Sequence, residues 1–202
     1  ISVKPQQLKN VYEDLEGYLD PRQTVVSIAA GVPLKAITSG LKHDSIIRVM
    51  PNTPAQIGKG VSVWTATISV SEEAKKMTTA LLDAMGTQYY VDNESYIDMA
   101  TAISGSGPAY LFAFTEALTD AALSLGIEPE IALNLVIGTI AGSSMLMEGN
   151  NLSPSRLREM VTSPGGTTAA ALATLNEANF HGLVQAAAFA AYERAQALGR
   201  EA

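Results

Sequence analysis

Gln88-Tyr-Tyr-Val-Asp-Asn-Glu-Ser-Tyr96, QYYVDNESY, is the stretch at which the chain changes its pattern. Gln88–Val91 is short, rich in aromatic and β-branched residues and bounded by Asp92, which predicts a strand. No strand candidate follows Asn93, and every later apolar run has helical spacing. The chain is therefore expected to be an α/β region followed by an all-α region, with the division at 92/93.

Toward the N-terminus of this stretch, strand-like and helix-like segments alternate. The strand candidates are Ile1–Val3, Thr24–Ala29, Ser45–Met50 and Val61–Ala66, ahead of Gln88–Val91. Helices are expected at Gln6–Leu19, Pro33–Leu41 and Ser71–Met85. The last carries Ala74, Met77, Thr78, Leu81, Leu82 and Met85 on one stripe, the spacing of a helix with one buried face. Such alternation implies a mostly parallel sheet with helical crossovers. Val61–Ala66 follows Met50 too closely for a crossover helix, so it is expected as an antiparallel edge.

Beyond Asn93, helices are expected at 94–104, 108–125, 128–148, 154–161, 167–176 and 180–199, with Gly107-Pro108 kinking or breaking the first pair. Tyr110–Leu125 and Ile131–Met147 are apolar nearly all round, the composition of helices buried on every side. Ile131–Met147 lacks any charge and is at the short limit for crossing a bilayer. It also holds Asn134, Gly138, Gly142, Ser143 and Ser144 with no flanking positive charge. Close helix contact in a packed bundle, with no membrane span, is the expected reading.

Composition narrows the function. Hydrophobic residues make up 47% of the 202 residues and charged residues 16%, against about 25% charged in an ordinary soluble chain. So little charge predicts that much surface is covered by another chain. The net charge of −7 and the absence of a basic run argue against a nucleic-acid partner. With no cysteine, a disulfide scaffold, a thiolate nucleophile and a zinc–thiolate site are excluded, and a cytoplasmic setting is expected. Ile1-Ser2-Val3-Lys4-Pro5 reads as the end of a strand entering a loop, as though an earlier part of the chain had been removed.

Three short motifs follow strand candidates: Val3-Lys4-Pro5-Gln6, Ala29-Ala30-Gly31 and Met50-Pro51-Asn52-Thr53-Pro54. Ligands of open α/β sheets bind at the carboxyl ends of strands, so these loops are candidates for a nucleotide cleft. In Met160–Leu172, MVTSPGGTTAAAL, Gly165-Gly166 allow a turn, and Thr167-Thr168 stand at the start of an alanine-rich helix. Helix N-termini carry unpaired N–H groups and partial positive charge, and so hold anions. A plain helix–turn–helix joint with threonine as N-cap reads the same residues. A fourth feature, Ile103–Tyr110 (ISGSGPAY), has small residues that suit close approach to a ligand or another helix. His43 and His181 are isolated, and no spacing resembles a metal site. Ser104 and Ser106 lack a G-x-S-x-G elbow and a partnering histidine. A reaction with little acid–base machinery fits best, such as hydride transfer to a protonated imine.

V-K-P-Q, S-I-A-A-G-V, R-V-M-P-N-T-P, S-G-S-G-P-A-Y and M-V-T-S-P-G-G-T-T occur in that order between Val3 and Gly166–Thr168. Together they resemble pyrroline-5-carboxylate reductase, the last enzyme of proline biosynthesis, over essentially the whole chain. The resemblance implies that 1–92 is the C-terminal part of a dinucleotide-binding Rossmann domain. It implies that 93–202 is an all-helical dimerisation and substrate-binding domain, in a homodimer or a higher assembly such as a ring of dimers. The implied reaction reduces pyrroline-5-carboxylate to L-proline with NADPH or NADH. By similarity Val3, Lys4, Pro5, Ala29, Ala30, Gly31, Asn52, Thr53 and Met160 take the dinucleotide. Glu94, Ser163, Gly166, Thr167 and Thr168 take the substrate, with Thr168 the catalytic residue and no metal involved. Two departures stand out: the glycine-rich fingerprint is absent, and Ser153 precedes Pro154 where the family often has histidine. A non-catalytic oligomerisation or binding module that keeps the helical part is the alternative.

The pyrophosphate of a dinucleotide normally rests on the first glycine-rich turn and the helix it opens. Residues 1–202 alone are therefore expected to bind NADPH weakly or not at all by calorimetry. Micromolar affinity would show that the remaining strand-end loops suffice.

Overall fold

The computed structural model describes residues 1–201. They form two compact units: Ile1–Pro108 together with the chain from Ala187 onward, and Ala109–Ala186. The change from mixed to purely helical structure falls at 92/93, while the compact sheet unit runs on to Pro108.

The sheet unit is built on four strands, β1 (Val25–Ser27), β2 (Ile46–Met50), β3 (Gly60–Ala66) and β4 (Gly86–Tyr90), in that spatial order. β1 and β2 are parallel, β2 and β3 antiparallel, β3 and β4 parallel. The antiparallel pairing of β3 agrees with the short 51–59 connection. Its expected position at an edge does not: β3 is interior, because β4 pairs along its far side from Gly60↔Gly86 to Trp64↔Tyr90. The expected strand Ile1–Val3 forms no ladder of its own and lies beside β1 through two hydrogen bonds at Ile1.

Helices α1 (Leu8–Leu15), α2 (Leu34–Leu41), α3 (Glu72–Asp83) and α4 (Ser95–Ala100) complete this unit with the end of the last helix. Strand alternation sorts the core into two layers. Ile46 packs with Leu8, Ile37 and Leu41 of α1 and α2. Ile47, Val49 and Trp64 pack on the opposite face with Val70 and with Leu82 of α3. Ser71 caps α3 by accepting from the Ala74 N–H at 3.1 Å. Of the stripe expected on α3, Thr78 and Leu82 are buried, whereas Met77 and Leu81 stay exposed and line an open cavity of about 770 Å³ with Thr24 and Val26.

α4 passes without a break into a π-helical turn, Thr101–Gly105, and α5 (Gly107–Ser124) starts one residue later. Pro108 thus falls in a first turn, where its missing N–H leaves no bond unmade. α6 (Pro129–Glu148), α7 (Pro154–Met160), α8 (Thr167–Glu177) and α9 (Phe180–Glu201) follow, close to the expected bounds. Ser153 caps α7 by accepting from the Arg156 N–H at 3.2 Å, so the serine at this position closes the helix start.

The expected all-round burial of α5 and α6 is not met within one chain. α5 has no buried residue, and α6 buries only Ala132 and Val136. Phe112, Ile131 and Met145 are 59%, 51% and 71% exposed. α6 is long and apolar enough to cross a bilayer by length and composition. Apolar faces this large on two neighbouring helices mark an interaction surface. The expected outcome of sedimentation at micromolar concentration is a dimer or larger species, held by an obligate interface of about 2,000 Å² or more. A monodisperse monomer would contradict it.

Candidate functional site

Two hydrogen bonds align the strand-end motifs. The Ile1 nitrogen donates to the Val26 carbonyl at 2.6 Å, and the Ile28 N–H donates to the Ile1 carbonyl at 3.0 Å. That is the pattern of a parallel pair centred on Ile1 and Ser27. Since β1 and β2 are also parallel, all three segments point the same way. Lys4-Pro5, Ala29-Ala30-Gly31 and Pro51-Asn52-Thr53 therefore leave the sheet by one edge, where ligands of open α/β sheets bind.

Each loop is held by local bonds. The Lys4 carbonyl accepts from the Gln7 N–H at 2.9 Å, closing the turn at Pro5, and Val3 packs against the α1–α2 core. Ala29 is buried, and its N–H donates to Ser27 Oγ at 3.3 Å. Gly31 has φ +73°, and a Cβ there would lie 2.6 Å from the Leu198 Cβ of α9. The end of α9 thus covers one side of this turn. The Val61 N–H donates to Asn52 Oδ1 at 2.8 Å, which commits the oxygen of Asn52 and leaves its NH₂ as the donor. The helix start after Gly31 is already satisfied, because the Leu34 N–H donates to Glu94 Oε1 at 2.7 Å. A carboxylate there disfavours a phosphate. Apart from Lys4, these loops offer neutral donors, a set that suits the nicotinamide–ribose end of a dinucleotide better than its diphosphate.

Glu94 belongs to a larger arrangement. Arg48 of β2 is 2% exposed and reaches two carboxylates, Glu94 Oε1 and Asp98 Oδ1, each at 2.7 Å. Glu94 and Asp98 are one helical turn apart, so they face the same way. The register neighbours of Arg48 are Ser27 and Thr65, both buried and small enough to leave room for a guanidinium. Arg48 Nε has no hydrogen-bond partner among the described residues. Arg48 and Asp98 were not foreseen from the sequence. The available signals were a charge inside the apolar run Ile46-Ile-Arg-Val-Met50 and an acidic pair four residues apart at 94 and 98.

The ISGSGPAY segment forms the π-helical turn and the start of α5. Such turns occur frequently at functional sites. The Thr101 hydroxyl donates to the Ile97 carbonyl at 2.7 Å and that of Ser104 to the Ala100 carbonyl at 3.0 Å, so both are spent within the helix. His43 is buried, with Nε2 at 2.7 Å from the Gln23 carbonyl, and His181 is exposed.

The second group of candidate residues lies in the helical unit. Met160 ends α7 and is exposed. The Gly166 N–H donates to the Ser163 carbonyl at 3.0 Å. Gly165 takes φ +70°, the left-handed region that favours glycine, and a Cβ on Gly166 would meet the Ser163 hydroxyl and force it to another rotamer. Gly166 is the N-cap of α8 and supplies no side-chain cap. Thr167 and Thr168 are therefore the first two helical residues, not caps. The first-turn N–H groups have no capping side chain, which leaves them for an anion. Thr168 is half-buried and Thr167 exposed.

A mixed α/β unit with strand-end loops on one edge, followed by a helical unit with apolar faces, is the build of a two-part, nucleotide-binding type of protein. The comparisons make this specific. The pyrroline-5-carboxylate reductase dimerisation family matches residues 94–198. Pyrroline-5-carboxylate reductases from Pseudomonas aeruginosa and Pisum sativum are 40% and 36% identical to this chain, covering 100% and 98% of it and 74% and 72% of their own length. The Plasmodium falciparum pyrroline carboxylate reductase crystal structure with NADP bound has a TM-score of 0.92 at 33% identity, covering 98% of this chain and 79% of that one. The Coxiella burnetii enzyme has a TM-score of 0.86 at 38% identity, covering 97% and 73%. The chain belongs to the pyrroline-5-carboxylate reductase family.

Asn52 gives a direct test of the loop geometry. Asn52→Ala leaves the Val61 N–H without its acceptor and is expected to cost about 1–3 kcal/mol in urea unfolding. Asn52→Asp keeps an oxygen in place and is expected to cost less than half as much.

Proposed function

We propose that this chain reduces 1-pyrroline-5-carboxylate to L-proline with hydride from NADPH or NADH, the last step of proline biosynthesis. The observation that carries this reading is that the likeness to reductases runs through both units. Nothing favours the alternative of a non-catalytic oligomerisation module. Residues 1–92 are assigned to the dinucleotide, and residues 93–202 to dimerisation and substrate. The dimerisation match over 94–198 supports the second assignment. The apolar faces of α5 and α6 then meet a second copy of the chain rather than lipid, and a ring of dimers is one assembly they allow. A cytoplasmic setting and the absence of a nucleic-acid partner complete the reading.

On the dinucleotide side, Val3, Lys4 and Pro5, with Ala29, Ala30 and Gly31, line the cofactor through backbone groups. Asn52 and Thr53 bind near its nicotinamide end, where the Asn52 NH₂ donates to a carbonyl-type acceptor. Met160 is a further apolar contact. When bound, the reduced nicotinamide supplies the hydride, so the chain's own groups bind, orient and balance charge.

On the substrate side, the carboxylate of the cyclic imine suits the N–H groups of the first turn of α8, at Thr167 and Thr168, with Gly166 contributing as the N-cap whose own N–H closes the turn onto Ser163. Ser163 shapes that turn. The Thr168 hydroxyl orients the ring nitrogen or relays its proton. A hydroxyl has far too high a pKa to be a true base at neutral pH, so electrostatic preorganisation around the carboxylate and iminium carries most of the rate enhancement. Glu94 is assigned to the substrate by similarity alone, while one of its oxygens anchors Arg48.

In the full enzyme, Thr168→Ala is expected to lower kcat/KM for pyrroline-5-carboxylate about ten- to a thousand-fold, roughly 1.4–4 kcal/mol, with little change in melting temperature. Thr167→Ala is expected to do less, because the backbone N–H remains. An enzyme with unchanged kinetics and a lowered melting temperature would show Thr168 to be structural.

A further inference from the structure

Arg48 is a buried charge that the proposed chemistry does not use. Its two arms go to Glu94 and Asp98, each at 2.7 Å, and Glu94 Oε1 also accepts from the Leu34 N–H. Arg48 is 2% exposed, whereas Glu94 and Asp98 keep 32% and 22% of their side-chain surface, so the carboxylates retain part of their hydration while the guanidinium depends on them for its partners. What the fork adds is direction. Two fixed N–H vectors meeting carboxylates one turn apart set both the rotation and the axial position of α4 on the sheet.

Everything so fixed borders the strand-end edge. β2 ends two residues after Arg48 and opens the Pro51-Asn52-Thr53 loop. Leu34 starts α2 just after the Ala29–Gly31 turn. α4 runs directly into the π-helical turn, whose Gly105 lies against the Met50 side chain. The ends of two strand loops and the S-G-S-G segment are thus referenced to one guanidinium.

We propose that Arg48, forked between Glu94 and Asp98, is a positioning residue for the reductase: it sets the strand-end loops that hold the nicotinamide against the S-G-S-G turn. This rests on the reductase reading. Hydride transfer needs donor and acceptor carbons at about 3–3.5 Å, and a displacement of 1 Å costs about a hundredfold in rate. Lysine at 48 keeps the charge but cannot direct two bonds in a plane.

The test uses the full enzyme and its Arg48→Lys, Asp98→Asn and doubly substituted forms. Steady-state kinetics are run with NADPH and with its 4-deuterated form, beside melting temperatures. The expected result for Arg48→Lys is a fall in kcat of about 10- to 100-fold and a larger deuterium isotope effect, as misplaced hydride transfer becomes rate-limiting. The double variant is expected to lose no more than Arg48→Lys alone, because both act through one fork. Asp98→Asn, which keeps the shape of the side chain, carries the same test if Arg48→Lys does not fold. Folded variants with kcat within threefold of wild type overturn the proposal, as does a loss of kcat with an unchanged isotope effect. A wild-type enzyme that does not reduce the imine overturns the reductase reading, and the proposal with it.

Discussion

A guanidinium inside a sheet must be answered by negative charge, and in this chain that requirement organises the sheet unit. β2 carries Arg48 in an apolar run, so the face it shares with Ile46 cannot be closed by apolar helices alone. The neighbouring strands present Ser27 and Thr65 beside it, and α4 brings Glu94 and Asp98 over it. The opposite face, free of charge, is closed by Val70 and by Leu82 of α3. An unpaired buried charge costs several kcal/mol, so α4 can dock only where both carboxylates reach the fork.

The candidate chemistry is divided between two electrostatic settings. The strand-end loops supply neutral hydrogen-bond donors, with the start of α2 already neutralised by Glu94. The start of α8 is left without a side-chain cap and so keeps its partial positive charge. A neutral reduced nicotinamide suits the first setting and a substrate carboxylate the second. Little acid–base machinery is needed, in keeping with the isolation of both histidines and the internal bonding of Thr101 and Ser104.

Much of the fold was legible because local signals agreed with one another. Short runs of β-branched and aromatic residues between Gly, Pro and Asp located β1 to β4, and the helices expected from Ser71 and from 154 begin where the hydroxyls of Ser71 and Ser153 cap them. The interior position of β3 was not legible, since the connection length of 51–59 sets its direction but not which strand takes its far side. The apolar faces of α5 and α6 were read as buried, and composition alone does not say whether the covering surface comes from the same chain. In the site, the glycines and threonines of 163–168 were legible as a turn and helix start, though the capping residue proved to be Gly166. The Arg48 fork was missed because its partners are 46 and 50 residues away, and local patterning carries no long-range pairing.

The single antiparallel pairing in the sheet has a kinetic side. β1 to β2 and β3 to β4 each require a helical crossover before their strands can meet, whereas β2 and β3 are joined by residues 51–59 alone. Loop-closure entropy grows with the length of chain to be closed, and pairings between near residues form fastest. The β2–β3 ribbon is therefore the part of the sheet with the lowest entropic barrier to assembly. Asn52, bonded across it to Val61, sits in the loop that closes it. The same few residues proposed to face the nicotinamide thus also govern how quickly the sheet can begin to form, and selection on one role would constrain the other.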